Sequence, residues 1–392
     1  MIPRIFIFIF PILFLFSTRS FAQKAELSNA PYYNYGKGFG ITTPDSLFQL
    51  NIRFRMQSRI SYYRSDNENI FDGQVRRLRL RLEGFVQSPK LQYLVQLSFA
   101  PGDVGSIQTG ENINIIRDAV LFYSPNKYYS FGFGQTKLPG NRQRVNSSGA
   151  LQLTDRSINN ASFNIDRDFG LFFNFTNDKS NAFSYRLKTT ISTGDGRNYT
   201  KNPNSGLAYT AKLELLPFGK FTNGGDYFEG DLAREQHPKL SLSGVYHFNN
   251  RAKRTEGETG NALTDPKDLQ SYFADAIFKY QGFAAMFSYM QRSTDNPLDA
   301  SSRVVFTGHG FDIQSSFLNK KDYEIIGRYS YQKPQEILNT FDNREQFILG
   351  LTKYVREHIF KIQFEAGYDI THIDVSTTDK TPYARFQIEM GI

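Results

Sequence analysis

The chain has 392 residues, a formal charge of +8, 37 Phe, 23 Tyr and 30 Gly, and neither Cys nor Trp. The missing cysteine excludes a disulfide-stapled scaffold and an N-terminal lipid carried on cysteine. Past the N-terminal leader no stretch reaches 18 consecutive apolar residues, so a transmembrane helix is excluded, whereas a β-barrel, whose strands are half polar, stays open.

Residues 1–22 read as a cleaved secretory signal peptide. Arg4 supplies the positive start, 5–16 the apolar stretch, and Ser20-Phe21-Ala22 a small-x-small cleavage site. The apolar run is shorter than the ~20 residues that a spanning helix needs. Residues 23–47, polar and rich in Gly and Tyr, form a lead-in to a single domain over 48–392.

From Phe48 the chain alternates with period two. Phe48, Leu50, Ile52, Phe54, Met56, Ile60 and Tyr62 share one parity, and Arg53, Arg55 and Arg59 lie on the other. Leu78, Leu80 and Leu82 then alternate with Arg77, Arg79, Arg81 and Glu83. Successive side chains of a strand point to opposite faces, so one face is oily and the other cationic. Segments of this kind recur at 91–99, 115–123, 128–134, 169–176, 183–192, 207–215, 240–248 and 272–280. They continue at 283–290, 308–317, 323–331, 346–354, 359–368 and 383–392, which makes sixteen with the first two. The last brings an amphipathic strand to the C-terminus, where first and last strands of a closed barrel pair.

The linkers alternate in length. Those at 88–90, 124–127, 177–181 and 355–358 are short, and those at 101–114, 136–168, 249–270 and 369–382 are long. Short turns at one end and long loops at the other predict an all-β fold, a sixteen-stranded antiparallel transmembrane barrel of the outer-membrane kind. Sixteen strands enclose an aqueous channel, and a soluble sandwich accommodates so many poorly. The longest linker is expected to fold inward and narrow that channel.

The lumen-facing parity carries more Arg and Lys than Asp and Glu, and the excess is concentrated in the first two strands. With strands ~4.8 Å apart, their arginines form a ladder on one wall. Rings of Arg and Lys are the device of anion and phosphate pores. Arginine also grips oxyanions with a two-pronged fork.

The succession of motifs resembles the phosphate-selective porin O and P family. It is carried by Arg76-Arg77-Leu78-Arg79-Leu80-Arg81-Leu82-Glu83-Gly84, Ile116-Arg117-Asp118-Ala119-Val120-Leu121 and Gly134-Gln135-Thr136-Lys137-Leu138-Pro139-Gly140. It continues through Asn141-Arg142-Gln143-Arg144, Thr154-Asp155-Arg156-Ser157, Arg167-Asp168-Phe169-Gly170 and Gln346-Phe347-Ile348-Leu349-Gly350-Leu351. The resemblance implies a trimeric outer-membrane channel with an infolded third loop. It assigns pore-lining, anion-guiding roles to Arg76, Arg77, Lys137 and Arg142 or Arg144, with Arg53 or Arg55 on the first strand. Together with Arg59, Arg79 and Arg81 from the ladder, these are the expected anion contacts. By parity Arg76 points outward with Leu78, so a rim position or a bulge is needed to turn it into the pore.

The partners expected are small anions such as phosphate, outer-membrane lipid and further copies of the chain. Nucleic acid is not among them, since the charge forms no basic helix or tail. His237, His247, His309, His358 and His372 show no ligand spacing, so neither metal nor cofactor is expected. Some barrel enzymes use Ser and His, but Ser241, Ser243 and His247 lack an acidic or amide partner nearby in sequence and read as polar wall lining. The function expected is passive diffusion of anions. The alternatives are a general nutrient porin, or a binding or adhesion barrel that conducts little.

Overall fold

The computed structural model describes residues 32–34, 38–64, 68–104, 114–198, 206–335, 341–373 and 377–392. The expected signal peptide, 1–22, lies outside the described residues. Two short strands, β1 (Tyr32–Asn34) and β2 (Gly38–Thr42), come first. Eight follow: β3 (Phe48–Arg64), β4 (Asn69–Val86), β5 (Ser88–Ser98), β6 (Ile116–Tyr123), β7 (Tyr129–Lys137), β8 (Arg167–Asn177), β9 (Ser184–Ser192) and β10 (Ala208–Leu216). Eight more complete the chain: β11 (Lys239–Arg254), β12 (Ala262–Tyr280), β13 (Phe283–Ser293), β14 (Gly308–Leu318), β15 (Tyr323–Pro334), β16 (Asn343–Arg356), β17 (Phe360–His372) and β18 (Thr378–Gly391).

Each strand from β3 to β18 pairs antiparallel with its neighbours in sequence, and β18 pairs with β3, so sixteen strands close into a barrel without a free edge. Closure is what a lipid environment demands, because no water reaches the wall to satisfy an open edge. β18 covers Arg55 to Tyr63 of β3, and β2 takes up Gln49 to Ile52 of the same edge. Part of the lead-in thus extends the wall.

The alternation translates directly into faces. Ile60, Leu121, Phe133, Leu171, Leu213, Phe287, Ile325, Leu349 and Phe386 stand exposed on the outside. The opposite parity, with Arg77, Arg79, Arg186, Lys212, Glu214, Lys279, Glu324, Arg328 and Lys361, is buried inside. Exposed apolar side chains on strands whose other face is charged are the mark of a wall bathed in hydrocarbon.

Three features depart from the alternation of loop lengths. The expected long linker 249–270 is mostly strand, since β11 runs to Arg254 and β12 starts at Ala262. The expected linker 369–382 is likewise shortened by β17 and β18. The β11–β12 extension is irregular: register shifts surround Ala252, which is buried with Leu269 and Val305, so simple hydrophobic alternation does not report the strand there. Conversely, the connection 217–238, at the end of the short turns, is long and holds a 3₁₀ turn at Thr222–Tyr227.

A charge placed at Leu349, 63% exposed on the outer face of β16, should destabilise the barrel by about 2–4 kcal/mol if it lies near the bilayer midplane. Urea titration of Leu349→Arg in lipid vesicles measures this. A substitution without cost would place that face in water.

Candidate functional site

The connection between β7 and β8, residues 138–166, folds into the barrel and crosses it. It holds two short helices, α1 (Arg142–Val145) and α2 (Ile158–Phe163). Apolar packing fastens one side. Leu138, Phe163 and Ile165 form a buried cluster with Phe172, Val245, Phe273 and Met290 of the walls. Leu153 packs with Ile326, Ile348 and Tyr383 in a second cluster. A Cβ on wall residue Gly350 would lie 2.4 Å from Leu153 Cδ2, so the glycine leaves the recess that leucine fills.

Polar contacts fasten the rest. Arg292 donates to the carbonyls of Ser162, Phe163 and Asn164 at 2.9–3.1 Å. Thr154 gives its backbone N–H and hydroxyl to Glu365, both at 2.8 Å. Gln152 Nε2 donates to Glu324 Oε1 at 2.6 Å. The connection 217–238 meets the loop from the turn end. Glu229 accepts from the Gln152 N–H at 2.9 Å and its own N–H donates to the Ala150 carbonyl at 3.2 Å.

The arginine ladder faces this loop. In the β3–β4 register Arg53 stands opposite Arg81, Arg55 opposite Arg79, and Gln57 opposite Arg77. Like charges directly opposed across strands destabilise a sheet, and here carboxylates offset them. Glu83 binds Arg53 at 2.7 Å and Arg81 at 2.6 Å. Asp103, from the loop after β5, binds Arg79 at 2.8 Å and Arg117 at 2.7 Å. Glu389 of β18 lies 3.8 Å from Arg55 and 3.4 Å from Lys361.

Asp155 is the centre of the arrangement. Its Oδ2 accepts from Arg59 Nη1 at 2.9 Å and Arg76 Nε at 3.0 Å. Its Oδ1 accepts from Arg76 Nη2 and Arg77 Nη2, both at 3.1 Å. Arg76 therefore grips the carboxylate with both prongs. Arg77 also donates to Gln57 Oε1 at 2.6 Å.

Arg76 reaches the lumen because of a bulge. The register shifts between Gln57, opposite Arg77, and Ser58, opposite Val75, so Arg76 is the extra residue. Bulges re-aim a side chain in this way. Arg117 repeats the device: Gln96 faces Asp118, Leu97 faces Ile116, and Arg117 is left over between them. The motif containing Arg117 is legible in the sequence, but strict alternation gives that residue no role.

The remaining expected contacts are committed to the loop itself or to the far wall. Lys137 Nζ donates to the carbonyls of Val145 and Asn146 at 2.8 and 2.9 Å. Arg144 binds Asp166 at 2.5 Å. Arg142, only 2% exposed, pairs with Glu214 at 3.0 Å on the far wall and stacks over Tyr227. Arg142 is thus walled in, whereas Arg53 and Arg81 keep about a third of their side-chain surface exposed, 31% and 35%.

A closed sixteen-stranded barrel with an apolar outer belt, a charged interior and a loop laid across its lumen is a porin of the bacterial outer membrane. The family model of the phosphate-selective porins O and P matches residues 48–296, and the chain belongs to that family. No curated protein sequence matches it at a significant level. Among solved structures, the anion-selective porin from Comamonas acidovorans is similar with a TM-score of 0.55 and 11% identity, over 88% of this chain and 99% of that one. The outer membrane channel DcaP of Acinetobacter baumannii gives 0.58 and 12%, over 93% and 100%. OprB of Pseudomonas putida gives 0.58 and 9%, over 88% and 94%. At these identities the likeness is one of fold.

Burial pushes the Asp155 carboxyl up, but Arg77, Arg76 and Arg59 outweigh it and hold the group well below the usual carboxylate range. A depressed carboxyl stabilises above its unfolded pKa and loses that contribution only as pH falls through the folded value. The loop should therefore stay docked, with unchanged conductance, from pH 7 down to about pH 5. Asp155→Asn leaves three guanidinium groups around a neutral amide. Because the carboxylate is 24% exposed, the loss should be moderate, about 1–3 kcal/mol. Single-channel recordings of Asp155→Asn should show a larger or noisier conductance, and Asp155→Glu should restore most of the native trace.

Proposed function

We propose that this porin prefers anions and passes phosphate and similar small anions by passive diffusion. One observation carries the reading. Along the ladder, among the described residues, nine cationic side chains share four carboxylates: Arg53, Arg55, Arg59, Arg76, Arg77, Arg79, Arg81, Arg117 and Lys361 against Glu83, Asp103, Asp155 and Glu389. The wall beside the loop keeps a net positive charge after its internal pairing. A narrow passage between low-dielectric walls focuses such a field, concentrating anions and repelling cations. The forked contact of Arg76 with Asp155 is chemically the contact that an oxyanion in transit would make with the same group. Release depends on such contacts staying weak and numerous.

Passage then follows from the chain's own residues. An anion enters from the loop end, where a cavity of about 590 Å³ lies at the rim. It passes the loop along the ladder, exchanging water for guanidinium N–H donors. It leaves at the turn end beside Arg53 and Arg81, which keep contact with solvent. Assembly as a homotrimer belongs to the same reading and is supported by the family; mass measurement in detergent tests it.

A general porin is the second reading. What favours it is the pairing of every ladder arginine named above with a carboxylate, which could make the ladder a strut for the loop. Reversal potentials in planar bilayers separate the two. Anion preference should be strongest in dilute salt and fade as the Debye length shrinks from ~10 Å at 0.1 M to ~3 Å at 1 M. Arg81→Glu should lower the anion/cation permeability ratio several-fold in dilute salt, since it reverses a charge that sits in solvent. Wild-type channels without anion preference there would leave the ladder a purely structural device.

A further inference from the structure

Below the loop, at the turn end, the lumen opens into a second cavity of about 290 Å³. Its two sides differ in chemistry. One side carries Arg53, Arg55, Arg79 and Arg81, with Glu389 3.8 Å from Arg55 and Ile392 beside β3 just past the end of β18. The other carries Phe228 and Ile359, with His358 and Glu357 next to Ile359 in the turn. The Phe228 ring stacks on the His358 imidazole with centroids 4.7 Å apart and planes at 30°.

Phe228 is held there by its neighbours. The Phe228 N–H donates to the Gly225 carbonyl at 3.1 Å, and the next residue, Glu229, is tied to Ala150 and Gln152 of the crossing loop. Lys279 Nζ donates to the carbonyls of Gly225 and Gly230 at 2.7 and 2.5 Å. The connection 217–238 thus fixes an aromatic ring about midway along its length, in the same cavity as four arginines. A channel for fully hydrated inorganic ions gains nothing from an apolar surface there. A solute with an anionic group and an apolar body meets both sides at once.

We infer that this cavity is a binding site for small amphipathic organic anions, monocyclic carboxylates above all, with the anionic group on Arg53 and Arg81 and the ring against Phe228. The inference rests on the anion-preferring reading above and names its solute class. The volume suits a single ring, since it lies at the small end of ligand pockets. The arginines supply charge and fork, and Phe228 supplies stacking and dry area.

Current block in planar bilayers tests it, with chloride as the carrier and benzoate or acetate added. Both probes carry one carboxylate, so only the ring distinguishes them. Benzoate should half-block wild-type channels at a concentration about tenfold lower than acetate, as burial of part of a ring implies. Phe228→Ala should bring benzoate to within about twofold of acetate, leaving acetate block and the reversal potential unchanged; Phe228→Tyr should keep the benzoate effect. Unchanged reversal potential and acetate block also show that the variant is folded. Equal block by benzoate and acetate in an anion-preferring wild type overturns this site alone. A tenfold gap that survives Phe228→Ala overturns it as well. Absence of anion preference in the wild type removes the anion reading and this site together.

Discussion

Three guanidinium groups meeting one carboxylate hold the pore in its shape. Asp155 is the point where the infolded loop touches the ladder, and Arg59, Arg76 and Arg77 converge on it. Each partner needs the other. Without Asp155 the arginines would repel one another inside a lumen of reduced dielectric; without the arginines the carboxylate would be stranded half-buried. Breaking such an arrangement from one side is costly, because the surviving charges lose their compensation. The charge excess that would select anions is therefore also the device that positions the narrowing.

The loop is not held by charge alone. Leu138, Phe163 and Ile165 pack on inward-pointing Phe172, Val245, Phe273 and Met290, so part of the lumen is a hydrophobic core. Dispersion and dry area secure one side of the crossing, ion pairs the other. The division makes chemical sense. The packed side excludes water and solute, which leaves passage to the charged side. The connection 217–238 adds a third support from below, through Glu229 and Lys279. One cavity lies at the rim of the loop end, and the inner one lies where these supports leave space, between the ladder and Phe228.

Barrel walls and lumen obey opposite rules on the same strand. Outside, the hydrocarbon solvent makes Leu349 or Ile325 cheap to expose and any charge expensive. Inside, water and neighbouring side chains make Arg and Glu cheap only when they find one another, as Arg186 and Lys188 do with Glu214. The bulges at Arg76 and Arg117 break the alternation at the place where charge is most crowded. Each adds one more cation to the lumen than a regular strand could supply, at the expense of a local loss of pairing.

Much of this was determined by the sequence alone. Period-two alternation from Phe48 onward, sixteen times over, follows from the geometry of the strand and needs no tertiary information to be legible. It assigned Leu78, Leu80 and Leu82 to one face and Arg77, Arg79 and Arg81 to the other. It also marked Arg76 as a residue that could reach the pore only through an irregularity, and the register places it at a bulge. Tertiary structure alone decided the partners. Asp103 and Asp155 lie in loops, which carry no periodicity, and nothing local says that they meet residues on β3, β4 and β6. The fates of Lys137, Arg142 and Arg144 were equally hidden, because their acceptors come from distant strands or from the folded loop itself. So was the apolar interior around Phe273 and Met290, which parity alone would have called water-facing. The physical reason is common to all of them. Alternation is set by bonds along the chain and by the solvent on each side, whereas pairing across a lumen depends on where a loop without a period comes to rest.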